Sequence, residues 1–184
     1  WHLRKADGHN SWTVEGGVLK NTVNQGEHGT DLVTDQKFKD FTVKYEFMVP
    51  DNSNSGFYLR GRQEVQILGD HKKGEATTTC NGSIYNFKAP DKFVSRPGNE
   101  WQTAEVTVIG NRITVVLNGV KIHDNVECTK PTGGELDGNV DQPGPFMLQG
   151  DHGPVAFRNV KLRLPANTQI KAGADDYLGK PFAT

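Results

Sequence analysis

From Phe41 to Val49 the chain alternates with period two. Phe41, Val43, Tyr45, Phe47 and Val49 fall on one side, and Thr42, Lys44, Glu46 and Met48 on the other. That spacing predicts a half-buried antiparallel strand. The same reading predicts a hairpin over residues 11–21, turning at Gly16-Gly17. Two long strands follow within residues 103–122, joined at Gly110-Asn111, with a second tight turn at Asn118-Gly119. Residues 144–151 and 154–164 read as two further strands around a short turn at His152 and Gly153. Helical periodicity is nearly absent. Closely spaced strands with Gly, Asn and Asp turns and no crossover helices predict an all-β antiparallel sandwich or jelly roll. Residues 70–100 and 124–144 are polar and read as long loops, the first around the SIYNF segment at 83–87. Loops of that length in a compact domain are usually functional or mobile. The expected domain spans residues 1–164, with 165–184 as a packed extension or a linker.

One segment has the wrong contents for a core strand. In residues 57–68 the odd positions are Phe57, Leu59, Gly61, Gln63, Val65 and Ile67, mostly core-like. The even positions are Tyr58, Arg60, Arg62, Glu64, Gln66 and Leu68. Read as one strand, the segment carries Tyr58, Arg60, Arg62, Glu64 and Gln66 on a single face. Gly61 marks a bulge or a close approach. Such a face can be a solvated exterior, where an ion pair contributes about 0–1 kcal/mol. It can also be a sugar-binding groove, because hydroxyls take planar bidentate partners and ring C–H faces take aromatics.

A length of 184 residues fits one domain that folds without staples. Lysine and arginine total 21 against 22 acids. That balance gives no argument for nucleic acid or an anionic membrane as a partner. No apolar run reaches the roughly 20 residues of a membrane-spanning helix. Cys80 and Cys128 lie in no metal-type spacing; they form a disulfide in an oxidising compartment or stay as buried thiols. The chain opens at Trp1, inside domain-like sequence, as it would after removal of a leader or by trimming. The NGS triplet at 81–83 fits a glycosylation sequon, idle in a bacterial protein.

The segments FKDFTVKYEFMVPDNSNSGFYLRGRQEVQIL, NGSIYNF, PGNEWQTAEVTVIGNRITVVLNGVKI and GPFMLQGDHGPVAFRNVKLR occur here in that order. Together they resemble the 3-keto-disaccharide hydrolase family over roughly residues 10–164. The resemblance implies a concanavalin A-like jelly roll of two antiparallel sheets, with a ligand groove on the concave one. It implies a glycoside or oligosaccharide substrate oxidised at C3, and export to the periplasm or beyond. The fold also resembles laminarinase-type glycosidases, whose strand carries E-x-D-x-x-E. Here the stretch from Glu64 to Gly69 keeps the first carboxylate, has the amide Gln66 in the middle, and lacks the last. Ordinary glycoside hydrolysis uses two carboxyl groups. A 3-keto sugar needs only a base for the acidified C2 hydrogen, a stabiliser for the enolate and an acid for the leaving group.

On that resemblance Glu64 or His152 serves as base or acid and Arg60 clamps the enolate. Tyr58, Arg62, Gln66, Tyr85, Gln149 and Asp151 contact the sugar, with core packing as the other reading of Tyr85 and capping of the turn as that of Asp151. A divalent metal acting as Lewis acid would draw on His152, Asp151 and Glu64, although no HxH or HxxxH cluster supports one. Trp101 reads as core and Arg158 as a structural ion-pair partner. His28 and His71-Lys72-Lys73 read as solvated loop residues, and Asn54 and Ser55 as turn residues bordering the groove. Two rival readings are a non-catalytic carbohydrate-binding module and a conventional glycoside hydrolase.

Overall fold

The computed structural model describes residues 1–24 and 26–166. The expected extension from residue 165 lies almost wholly outside them. The strands are β1 (His2–Leu3), β2 (Trp12–Glu15), β3 (Val18–Asn21), β4 (Leu32–Val33), β5 (Phe41–Met48), β6 (Asn54–Leu59) and β7 (Gln63–Leu68). They continue as β8 (Gln102–Ile109), β9 (Arg112–Leu117), β10 (Val120–Glu127), β11 (Met147–Leu148) and β12 (Val155–Arg163). A seven-stranded sheet runs β10-β9-β8-β5-β12-β3-β2, and a five-stranded sheet runs β1-β4-β11-β6-β7. Every pairing is antiparallel. The jelly-roll sandwich expected from alternation is present, including the hairpins at Gly16-Gly17, Gly110-Asn111 and Asn118-Gly119.

The core lies between the sheets. Phe41, Val43, Tyr45 and Phe47 of β5 face Phe57 and Leu59 of β6 and Val65 and Ile67 of β7, all buried. Tyr45 stacks on Phe57 at 4.3 Å between ring centroids. Phe38, Phe41 and Phe146 close one end, at 4.6 and 4.9 Å from Phe146. Each such side chain removed from water contributes about 1.5–3 kcal/mol. The site therefore stands on a stiff floor.

Residues 58–70 are not one strand. β6 ends at Leu59, Arg60 to Arg62 make the connection, and β7 returns from Gln63. Arg60 and Gly61 both sit at positive φ, 53° and 69°. The three-residue connection pairs Tyr58 with Glu64 and Gly56 with Gln66. Even positions thus stay on one face, but Arg60 and Arg62 leave it for the turn.

The long loops are bonded rather than loose. Gly82 donates to the Gln66 carbonyl, Gln66 to the Ser83 carbonyl, and Tyr85 to the Glu64 carbonyl. The SIYNF segment thereby lies along the outer edge of β7 and covers an otherwise open sheet margin. Asn81 joins Ser95 and Gln102 by side-chain bonds of 3.1 Å each, and Asp70 accepts from the Asn81 amide. Cys80 and Cys128 are free, buried thiols. They lie in separate surroundings, one beside Thr77 and Asn81, the other bonded to the Lys130 carbonyl. Trp101 is not core: it is half-buried, with the Arg158 guanidinium 3.9 Å over its ring. Arg158 also pairs with Glu46.

Candidate active site

The face of β6–β7 turned away from the core forms the floor of a cleft of about 210 Å³. Its lining brings together Tyr58, Glu64, Gln66, Tyr85, Gln149 and His152, with Asn54, Gly133 and Gly134. Tyr58 and Glu64 are cross-strand partners. Gln149 stands beside them because its amide donates to the Gly56 carbonyl, continuing the ladder past β11. Tyr85 arrives on the segment that covers β7. The volume lies below the roughly 300–1,000 Å³ of drug-sized sites and suits one small ring.

Among the described residues Glu64 is the one acid lining this cleft. It is 2% exposed, and burial pushes its carboxyl up to about 8. The Tyr58 hydroxyl, which donates to it, and the charge of His152 oppose that rise without cancelling it. The carboxylate position is built by a missing side chain. A Cβ on Gly56 would lie 1.9 Å from Glu64 Oε1 and 2.6 Å from its Cδ. Only a glycine on β6 leaves room for the Glu64 side chain there. Thr132 fixes the backbone behind it, accepting from the Glu64 amide at 2.9 Å.

His152 is half exposed and hydrogen-bonds Asp151 through Nδ1. That bond raises the imidazole above its ordinary range, while partial burial pulls it down. Asp151 in turn is held below the usual carboxylate range by His152. Among the described residues His152 is also the one group lining the cleft that can carry positive charge. Gln66 is 4% exposed, and its Nε2 donates to the Thr79 carbonyl at 3.3 Å. Among the described residues its Oε1 has no partner, nor do Gln149 Oε1 and Asn54 Oδ1. Unpaired buried acceptors are costly, and ligand hydroxyls satisfy them.

Three expected site residues lie outside the lining: Asp151, which holds His152 from behind, and Arg60 and Arg62, which lie elsewhere. Arg60 is fully buried, and its Nη2 donates to the Gly110 carbonyl at 2.9 Å. It bridges the β6–β7 turn to the β8–β9 turn on the other sheet and does not line the cleft. Arg62 forks onto Asp137 at 2.7 and 3.1 Å and donates to the Gln142 carbonyl at 2.8 Å. It anchors a loop. Both departures follow from the turn, which takes residues 60–62 off the floor. Among the described residues no group of three His, Cys, Asp or Glu side chains converges as metal ligands. Glu64, His152 and Asp151 are close enough to shift one another's titration but not gathered on a common centre. His28 is exposed and acts on Asp151 only through charge.

Four positions matter that alternation did not single out: Gly56, Thr132, and the pair Gly133-Gly134. The close approach of Gly134 to Tyr58 is severe, since a Cβ there would lie 2.6 Å from the Tyr58 hydroxyl oxygen. The Gly-Gly pair in an otherwise polar loop was the available signal.

The model of the 3-keto-alpha-glucoside-1,2-lyase-like domain family matches residues 1–163. The chain belongs to this family. It is 24% identical to a 3-keto-disaccharide hydrolase of Bacteroides thetaiotaomicron, over 83% of this chain and 70% of that one. A solved glycosyl hydrolase candidate from Parabacteroides distasonis superposes with a TM-score of 0.66. It is 28% identical and is covered over 84% of this chain and 74% of its own. The carbohydrate-binding module CBM66 of Bacillus subtilis shares the fold at a TM-score of 0.54 and 13% identity. The match covers 86% of this chain and 92% of the module. Within this family fold, the cleft at Glu64 occupies the face of the five-stranded sheet turned away from the core.

Proposed function

We propose that the chain cleaves glycosides whose sugar ring carries a ketone at C3, using Glu64 as a single acid–base group. The observation that carries this reading is one buried carboxyl in the cleft lining, pushed up to about 8, with His152 as the cationic group beside it and no second acid among the described lining residues. Both ordinary routes of glycoside hydrolysis call for two carboxyl groups flanking the bond. A 3-ketone removes that requirement by acidifying the C2 hydrogen.

In this reading Glu64, once ionised, takes the proton from C2 and negative charge moves to the C3 oxygen. His152, as imidazolium held by Asp151, faces that oxygen and stabilises the enolate. The C1–O bond breaks, and protonated Glu64 returns its proton to the departing oxygen. Water then adds across the resulting C1–C2 double bond, so the net change is hydrolysis; release before addition gives a lyase. A carboxylate with a raised proton affinity is a stronger base than one in water, and its value lies near working pH. Tyr58 orients Glu64. Gln66, Gln149 and Asn54 offer free acceptors to sugar hydroxyls, and Tyr85 offers its ring face. The family match and the Bacteroides relative's name support the substrate class. Export to an oxidised-glycan-rich compartment belongs to the same proposal.

The test is incubation with a 3-keto-glucoside and with its parent glucoside, followed by mass spectrometry. Consumption of the ketone alone is expected, lost in Glu64→Gln. Turnover of the parent but not the ketone would sink the reading. Binding of sugar with no turnover of either would favour the binding-module alternative, to which the fold likeness with CBM66 points.

A further inference from the structure

The row His2, Val33, Met147, Tyr58 and Glu64 crosses all five strands of the smaller sheet in direct register. These side chains share one face, so an unobstructed groove would run along the row. It is obstructed. Residues 132–137 lie across it, with Leu136 packed on Val33, Tyr58 and Met147. The crossing is tied down at each step. Thr132 donates to the Arg62 carbonyl and Leu136 to the Gly61 carbonyl. Arg4 donates to the carbonyls of Gly134 and Glu135 at 2.8 and 2.9 Å. Asp137 takes the Arg62 fork.

This segment splits the face into two hollows with no lining residue in common. One is the cleft at Glu64, bounded by Gly133 and Gly134. The other, of about 250 Å³, lies beyond Leu136 and Asp137 beside His2, Arg4 and Lys37. Between them, Gly134 backbone sits so close to the Tyr58 hydroxyl that not even a methyl group fits. The Glu64 cleft is therefore walled on three sides: by Gly133-Gly134, by Tyr85 on the β7 edge, and by Gln149 and His152 beyond β11.

We propose that residues 132–137 make this an end-acting site, which accepts only a terminal ring of a glycan. A ring inside a chain is substituted at two positions, and the crossing segment closes the row along which its second neighbour would continue. The proposal rests on the sugar-binding part of the reading above and not on its chemistry.

The test is saturation-transfer NMR with unoxidised maltotriose, a linear probe, and α-cyclodextrin, which has the same linkage and no end. Saturation concentrated on one terminal ring of maltotriose, with none on the cyclodextrin, is expected. Leu136→Ala and Arg4→Ala, each checked for folding by thermal melt, loosen the wall by different contacts. Each should raise saturation of the internal ring relative to the terminal one. Even saturation along the three rings, equal signals from the cyclic probe, or no transfer from either probe would overturn the proposal. Terminal-ring saturation with no turnover of a 3-keto-glucoside would support the wall and count against the proposed chemistry.

Discussion

Replacing Glu64 by Gln tests the central electrostatic argument without needing a substrate. The carboxyl ordinarily titrates near 4.5, and burial moves it to about 8 in the folded chain. Between those values the unfolded chain has released a proton that the folded chain still holds. Stability therefore falls as pH rises through this window. At pH 7 the unfolded carboxyl is ionised, while the folded one keeps its proton about nine-tenths of the time. The ratio of the two binding polynomials corresponds to about 3 kcal/mol. Above pH 9 the full difference of about 5 kcal/mol is reached, at 1.36 kcal/mol per unit. Gln has no such proton, so the stability of Glu64→Gln minus that of the parent should grow with pH. It should rise by about 3 kcal/mol from pH 4 to pH 7 and approach about 5 kcal/mol at pH 9. Urea titrations of both proteins across that range, compared pairwise, cancel the remaining groups to first order. A difference that stays flat within about 0.5 kcal/mol would refute a dry, high-affinity carboxyl, and with it the base assigned above.

Three other outcomes follow from the same geometry. Gly56→Ala places a methyl group on Glu64 Oε1. It should lower kcat on a 3-keto-glucoside by about 100-fold while the melting curve stays cooperative, because small displacements of a reacting group are that costly; unchanged kcat would show that the carboxylate position is not critical. The pH profile of kcat/KM should be bell-shaped, with one apparent value near 8 from Glu64 and a second ionisation from His152, whose proton affinity Asp151 raises. An acidic limb near 4.5 would assign the base elsewhere. Arg60→Met removes a buried cation whose Nε and Nη1 have no partner among the described residues. Stability should stay within about 1 kcal/mol of the parent or rise, since apolar replacements of buried charges are often neutral or better. Turnover should be unchanged; lost turnover with an unaltered melt would return Arg60 to the site.

The strands were legible because alternation reports burial directly, and burial of one face is what a sandwich imposes. β5, the β8–β9–β10 run and the β2–β3 hairpin follow from that alone. The β6–β7 segment shows where the same signal misleads. Its alternation is unbroken through residues 60–62, because a three-residue connection pairs even positions with even ones. Tyr58, Glu64 and Gln66 therefore appear on the correct face under the wrong topology, and Arg60 and Arg62 appear with them. The Arg-Gly pair at positive φ was the only local mark of the turn, and Arg is a poor advertisement for a left-handed position.

The loops were illegible for a different reason. Thr132, Gly133 and Gly134 matter through what they approach, not through a period of their own. Thr132 accepts from an amide 68 positions away, and Gly134 is held by Arg4 from 130 positions away. Gly56 carries the same lesson inside a strand. Its functional content is the volume it leaves for Glu64, which no residue-type signal in β6 expresses. The buried carboxyl on this sandwich therefore depends on three kinds of information: an alternating strand pair for the floor, a glycine for the space, and a distant loop for the wall. Only the first is written in periodicity. If the wall is what restricts the site to a terminal ring, relatives that share the floor but differ in this loop would keep the chemistry and change the position along the glycan where it acts.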